Sequence, residues 1–495
     1  MSHILSKSSF VTGLQCSKKL YFQKRRRDLI PEMSMSQELI FNQGTQVGVL
    51  AHQRFPGGKD ATPNPYYDFD AAISKTKQWM EEGVAVIYEA TFRYDEILVM
   101  VDVLVRDGDA WKAFEVKSST EVKEVNINDA AIQYYVLHHA GVSLNDISIV
   151  HINNKYVYNG MLDVNEFFKA VSVLDVVVEK QHSIPALVAE FKGVLNEAAP
   201  PEIEIGKHCD TPYSCEFKHH CWAHLPEYSI FDISNLSAKK KWELFEQGVR
   251  HLDEIPADYK LGDHQWMQVH SALNNTKIIE REKIAEFTKG LNYPLYFLDF
   301  ETFMTAVPQF EGTRPYQPLV FQYSLHVQAG PGEEVLHKEY LADPKAKFLE
   351  DLVQVLISDC GSEGDIVVYN QSFEKGKIAA LAKLFPAHAE ALNKINERIV
   401  DLMLPFQQRW YYTPEMRGSY SIKYVLPALV NSANYDALAI KEGGTASALF
   451  SQMMLGLFNG DEKTVREDLL AYCKLDTYAM VLLLQKLREL AERVE

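Results

Sequence analysis

The chain has 495 residues, enough for several domains, and its 47% hydrophobic and 24% charged residues are the make-up of an ordinary globular protein. No run approaches the ~18 consecutive apolar residues of a membrane span, and the opening MSHILSKSSF lacks the apolar core of a signal peptide, so a cytoplasmic protein without membrane contact is expected. The net charge of −17 argues against broad, nonspecific nucleic-acid binding, while the basic runs Lys24–Arg27 and Lys239–Lys241 read either as solvated faces or as parts of a local basic groove.

In chain order, residues 1–56 read as helices, with apolar residues of SQELIFNQGTQVGVLAHQRF at helical spacing. GVAVIYEATFRYDEILVMVDVLVRDGDAWKAFEVKSS reads as strands and tight turns, with Gly108 in an RDGD turn. NDAAIQYYVLHHAG is a predicted helix with Asn128 as cap and Gly141 as stop; ISIVHINNKYV is a further strand. Residues 225–290 read as a charged helical connector in which LFEQGVRHLDEIP resembles a helix-hairpin-helix element, a plain helical linker being the alternative. From about 291 the strands LYFLDFE, PLVFQYSLHVQ, EVLHKEYLA and DIVVYN alternate with helices and end in a long helix over about 463–492, the pattern of a mixed α/β domain.

Two sets of acidic residues carry the chemistry. In the first, Asp102 lies in an apolar strand, and Glu115 and Lys117, two apart in the next strand, share one face. A hairpin brings Asp102 beside Glu115, where two carboxylates suit Mg²⁺ or Mn²⁺ and Lys117 can orient a water or neutralise charge. The bland alternative is a salt bridge on an amphipathic strand. In the second set, Asp299 and Glu301 share one strand face inside an otherwise apolar run, while Tyr296, Leu298 and Phe300 take the other. Glu374 opens a helix, and Tyr472 and Asp476 stand four apart on the last helix. Four carboxylates converging on divalent ions would explain why charge sits in an apolar strand.

The cysteines form a third set. Cys16 stands alone, and Cys209, Cys215 and Cys221 follow with five residues between successive cysteines, among His208, His219, His220 and His224. Disulfides are not expected in a cytosolic chain. Four thiolates suit a [4Fe–4S] cluster or zinc, and the spacing alone does not choose.

Asp102 with Glu115-Val116-Lys117 resembles the PD-(D/E)XK nuclease motif. Gly48 and His52 resemble that family's preceding helix, implying His52 as a further metal ligand. Gln133 and Tyr135 resemble the helical Q/Y motif of RecB-like members. The cysteine order is similar to that of iron–sulfur RecB-like nucleases, including those of CRISPR adaptation, which implies a [4Fe–4S] staple on Cys16, Cys209, Cys215 and Cys221, with zinc as the alternative. Asp299-x-Glu301, Asn370-x-x-Phe373-Glu374 and Tyr472-x-x-x-Asp476 resemble the motifs of DEDD 3′–5′ exonucleases of the tyrosine subtype, with glutamate at 374 where aspartate is usual and Asp401 as a reserve acid. Arg417–Leu429 is similar to a segment of uncharacterised two-part bacterial proteins, and Arg417, Ser421 and Lys423 are expected near a nucleic-acid backbone.

These resemblances imply an α/β multidomain chain. Residues 1–224 would be a PD-(D/E)XK restriction-endonuclease-like core with a helical Fe–S staple, 225–290 the connector, and 291–495 an RNase H-like α/β exonuclease domain. The implied activity is a metal-dependent DNA nuclease acting on single strands or free ends, in repair, recombination or defence. A DNA-binding scaffold with silent sites and a zinc-stapled RNA-processing enzyme are the alternatives.

Overall fold

The computed structural model describes residues 4–430, 435 and 437–492, so residues 1–3 of the opening helical stretch and 431–434, 436 and 493–495 of the last expected domain lie outside the described residues. The protein is a multidomain α/β chain in which helices and two mixed sheets form two compact units. One comprises the chain up to Met33, Ile40–His224 and Thr305–Tyr316; the other comprises Ser34–Leu39, Leu225–Met304 and Gln317 onward.

The first unit is built on seven strands: β1 (Leu5–Ser6), β2 (Lys59–Asp60), β3 (Val86–Tyr94), β4 (Ile97–Asp107), β5 (Ala110–Lys117), β6 (Leu144–Ile152) and β7 (Phe168–Ser172). The order is β2-β3-β4-β5-β6-β7, with β1 pairing in parallel with β4. Asp95 and Glu96, both at positive φ, make the two-residue β3–β4 turn, and Gly108 at φ 65° serves the β4–β5 turn. That second hairpin pairs Val103 with Phe114, and the same register sets Asp102 against Glu115. The helix Glu124–His139 carries the chain from β5 to the parallel β6 and buries Ala130, Ile132, Val136 and Leu137 against Val101 and Leu104.

That helix starts four residues before the expected cap. Lys123 is its N-cap and donates its backbone N–H to Asn126 Oδ1 at 2.9 Å, which leaves Asn128 inside the helix. Gly141, at φ 84°, follows its end as expected. The opening stretch is also less uniformly helical than expected: Leu5–Ser6 add to the sheet before Ser6 caps the helix Lys7–Gln15.

The second unit holds β8 (Ile278–Ile279), β9 (Leu295–Phe303), β10 (Leu319–Gln328), β11 (Val335–Leu341), β12 (Asp365–Val368), β13 (Ile399–Asp401) and β14 (Tyr411–Tyr412). Five of them form a sheet in the order β11-β10-β9-β12-β13, antiparallel across the first two joints and parallel across the last two; β8 and β14 form a separate pair. β9 is the central strand, hydrogen-bonded on both edges, and other elements pack on both of its faces. Tyr296, Leu298 and Phe300 enter a core with Leu352, Ile366 and Ile378. Phe303, on the other face, packs on Phe450 with ring centroids 5.1 Å apart. The 31-residue helix Glu462–Glu492 is pinned to β10 by Thr477, whose hydroxyl lies 2.7 Å from both Ser324 Oγ and His326 Nδ1.

Gly364 opens β12 at φ 78°, and a Cβ there would stand 2.0 Å from the Pro294 carbonyl oxygen. Gly364→Ala is therefore expected to destabilise the second unit by more than the ~1–2 kcal/mol of the left-handed backbone alone. Gly108→Ala, with open space around it, should cost only that backbone term. Chemical denaturation of the two variants checks the difference.

Candidate metal centre

In the second unit, Asp299, Glu301 and Asp476 present carboxylate oxygens that all lie within 4.8 Å of one another. Strand alternation puts Asp299 and Glu301 on one face of β9, and the Thr477 contacts set the register of the long helix so that Tyr472, Cys473 and Asp476 meet them. Cys473 Sγ lies 3.8 Å from Asp299 Oδ2, and Tyr435 donates its hydroxyl to Asp476 Oδ1 at 2.6 Å. A Cβ on Gly443 would sit 3.4 Å from Glu301 Oε2 and 3.9 Å from the Tyr472 hydroxyl, so the backbone there comes close to the acids.

Glu374, in the first turn of the helix Gln371–Leu384, is buried, and among the described residues its Oε2 meets no hydrogen-bond partner. Asp401 is engaged otherwise: it accepts the backbone N–H groups of Asn370, Gln371 and Met403, each at 3.0 Å, and so fixes the start of the Glu374 helix.

Burial, reinforced by neighbouring carboxylates, sets the electrostatics. Burial and then Asp476 hold Asp299 well above the usual carboxylate range, and burial followed by Asp299 and Asp476 does the same to Glu301. Glu374 is pushed up to about 9 by burial and Asp299. Asp476 rises only to about 6, because burial is opposed by the Tyr435 hydrogen bond and the Lys423 ammonium. Lys423 Nζ donates to the Lys441 carbonyl at 2.6 Å and stands 5.8 Å from the ring centres of Tyr435 and Tyr472. A buried set of oxygen donors with one orphaned carboxylate oxygen fits a hard divalent cation, which takes carboxylate and water ligands.

In the first unit, the predicted residues are linked directly. Glu115 accepts from Lys117 Nζ and from Gln133 Nε2, both at 2.7 Å, and Asp102 Oδ2 accepts the Val116 N–H at 2.6 Å. Two residues missed by the sequence reading join them. Asp129 Oδ2 accepts from Lys117 at 2.5 Å, and Lys7 Nζ reaches Glu115 Oε1 at 2.7 Å and Asp102 Oδ1 at 4.0 Å. Asp129 stands one helical turn before Gln133, a spacing that could have flagged it; Lys7 carries no such signal. Burial pushes Asp102 up to about 8, whereas at Glu115 the ammonium groups of Lys117 and Lys7 overcome burial and hold the carboxyl far below its usual range. His52 stacks on Tyr88, ring centres 3.8 Å apart, and among the described residues makes no hydrogen bond to Asp102 or Glu115. Tyr135 packs against Tyr94 and His139.

The cofactor expectation is corrected. Cys16, Cys209, Cys215 and Cys221 do line one small cavity, together with Phe22 and Phe217. Yet among the described residues the group of ligand atoms within 4.8 Å of one another is the acidic one, and no cysteine or histidine belongs to it. The cysteines are free; Cys215 and Cys221 pack beside Tyr21, Phe22 and Phe217, and burial raises the Cys215 thiol to about 11, as suits a protonated packing group. A [4Fe–4S] or zinc staple is not assembled there.

Of the residues expected near a nucleic-acid backbone, Arg417 pairs with Glu227, and Ser421 stands at the N-cap position of the helix Ile422–Leu429. Arg417 and Ser421 line an open groove of about 690 Å³ in the second unit with Lys241, Tyr369, Tyr420 and Tyr424.

The acidic centre makes a thermodynamic prediction. With a chelator present, the raised carboxyls keep protons that the unfolded chain releases, so stability falls as pH climbs from the ordinary range near ~4 through about 6 for Asp476. Asp476→Asn should flatten that slope and be more stable than wild type at pH 8 in chelator. Mg²⁺ or Mn²⁺ should stabilise wild type at neutral pH, by ~2.7 kcal/mol at a hundred times Kd, but not the variant. Thermal unfolding with and without cation checks both signs.

No helix among the described residues is long and apolar enough to cross a membrane. The chain is similar to an uncharacterized protein of Ureaplasma parvum serovar 3, 23% identical over 342 residues that make up 64% of this chain and 48% of the relative. An uncharacterized protein of Mycoplasma pneumoniae is 25% identical over 292 residues, 51% of this chain and 44% of the relative. One of Mycoplasma genitalium is 26% identical over 216 residues, 40% of this chain and 32% of the relative. The chain thus spans less than half the length of these relatives. Residues 296–421, which hold Asp299, Glu301 and Glu374, match the family model described as Domain of unknown function (DUF2779), so the chain is a distant relative of an uncharacterized bacterial family.

Proposed function

We propose that the protein is a metal-dependent DNA nuclease, with an exonuclease centre at Asp299, Glu301, Glu374 and Asp476 and a second hydrolytic site at Asp102, Glu115 and Lys117. The observation that carries this reading is the convergence of three carboxylates, Glu301 and Asp476 buried and Asp299 partly so, from β9 and the long helix within 4.8 Å. The order β11-β10-β9-β12-β13, with its two antiparallel and two parallel joints, supports an RNase H-like reading of residues 291–495. The β3-β4-β5 meander followed by a helix and the parallel β6 supports a PD-(D/E)XK-like reading of residues 1–224, with 225–290 as connector.

Asp299, Glu301 and Asp476 would hold the cation, with Glu374 as the further ligand. A divalent cation in such a site supplies Lewis acidity to a phosphoryl oxygen and a lowered pKa to bound water. The protein's own contributions are separable. Tyr472, beside Asp476, orients an attacking water. Lys423, above the two tyrosines, balances the phosphate charge. The groove with Tyr369, Tyr420, Tyr424 and Lys241 offers aromatic faces and a cation to a single strand. In the other unit, Lys117 is held between Glu115 and Asp129, where it can stabilise developing charge.

End-labelled single-stranded DNA incubated with full-length protein and Mg²⁺ or Mn²⁺ tests the reading. Wild type is expected to shorten the label in a cation-dependent way. Asp299→Asn should lower the exonucleolytic rate by more than the roughly 10- to 100-fold that loss of an outer-shell partner costs, and Lys117→Ala should remove only the residual cutting. Equal products from wild type and the Asp299→Asn plus Lys117→Ala chain would reject the nuclease assignment; cleavage of RNA alone would reject DNA as the substrate.

A further inference from the structure

The acidic set of the first unit already contains a cation of the protein's own. Lys7 opens the helix Lys7–Gln15 and sends its ammonium between the two carboxylates of the hairpin, 2.7 Å from Glu115 Oε1 and 4.0 Å from Asp102 Oδ1. Glu115 is 2% exposed, so it cannot turn away to solvent, whereas Lys7 is 21% exposed and its flexible stem can. Four carboxylates, Asp102, Glu115, Asp129 and the neighbouring Glu89, face two ammonium groups, Lys7 and Lys117, and among the described residues no three of these acids draw their oxygens within ligand distance of one another. In the second unit the three acids cluster, and Lys423 donates to the Lys441 carbonyl.

We infer that Lys7 is a built-in lock on the first acidic site: its ammonium holds the position between Asp102 and Glu115 and must swing out before a hard divalent cation can enter. The inference rests on the reading of Asp102 and Glu115 as cation ligands. Two like charges a few ångströms apart in a poorly solvated site repel strongly, so ammonium and divalent cation exclude each other. Lys7 also adds to the Lys117 and Gln133 contacts that balance the buried Glu115 carboxylate. Besides the two carboxylates, the Lys7 ammonium reaches the Met100 carbonyl of β4 at 3.5 Å, a long contact that the side chain can give up without breaking a backbone pair of the sheet.

The test titrates Mn²⁺ into the full-length chain carrying Asp299→Asn and Asp476→Asn, which silence the other centre, and reads free Mn²⁺ by electron paramagnetic resonance. Lys7→Gln and Lys7→Met are expected to bind Mn²⁺ at least about tenfold more tightly than the Lys7 chain, Lys7→Arg to bind as the Lys7 chain does, and Glu115→Gln to abolish the gain. Using two neutral variants guards against one failing to fold, which circular dichroism reports. Affinity unchanged or weakened in both neutral variants overturns the lock while leaving the cation site standing. No Mn²⁺ bound by any of the chains overturns the cation site itself and the lock with it. Neither outcome touches the exonuclease centre.

Discussion

The second unit is organised around one electrostatic constraint: Asp299, Glu301 and Asp476 are drawn together out of water with no ammonium among them. Removing carboxylates from water is costly, and placing them side by side adds repulsion. The fold holds them there through apolar contacts on the opposite side of the same strand. Tyr296, Leu298 and Phe300 anchor β9 in its core, and Thr477 ties the helix that carries Asp476 to β10. Packing energy therefore maintains an arrangement that the charges themselves oppose until a counter-ion is supplied. Lys423 eases the repulsion at Glu301 and Asp476, and Asp476 alone also accepts the Tyr435 hydroxyl, which is why that carboxyl stays the most acidic of the four.

The first unit meets the same constraint by another route. Asp102, Glu115 and Asp129 are also withdrawn from water, but Lys7 and Lys117 sit among them. Glu115 consequently remains ionised although buried, while Asp102, farther from the lysines, is pushed up to about 8. One protein thus contains two acidic centres of opposite character, one waiting for charge from outside and one satisfied from within. A common cation dependence for the two would be surprising on these grounds.

The cysteine tail shows how composition misleads when it is read as chemistry. Four cysteines in a suggestive order do share a cavity, yet among the described residues the ligand spacing is reached only by acids, and the aromatic rings of Tyr21, Phe22 and Phe217 form the immediate surroundings of Cys215 and Cys221. Thiols serve equally well as small apolar side chains, and spacing along the chain carries no information on which of the two roles the packing selects.

Local pattern determined a good deal here. The alternation of LYFLDFET places Asp299 and Glu301 on one face, the i to i+4 step places Tyr472 above Asp476, and the hairpin around Gly108 sets Asp102 opposite Glu115, because strand and helix periodicities are properties of the backbone and need no partner. What crosses long stretches of chain was decided only by tertiary packing. Lys7 meets Glu115 from 108 residues away, Tyr435 meets Asp476 from 41, and Gly443 brings its backbone against Glu301. No periodicity links such residues; they meet because buried charge must find a partner wherever the fold delivers one, and that delivery is fixed by how sheets and helices pack.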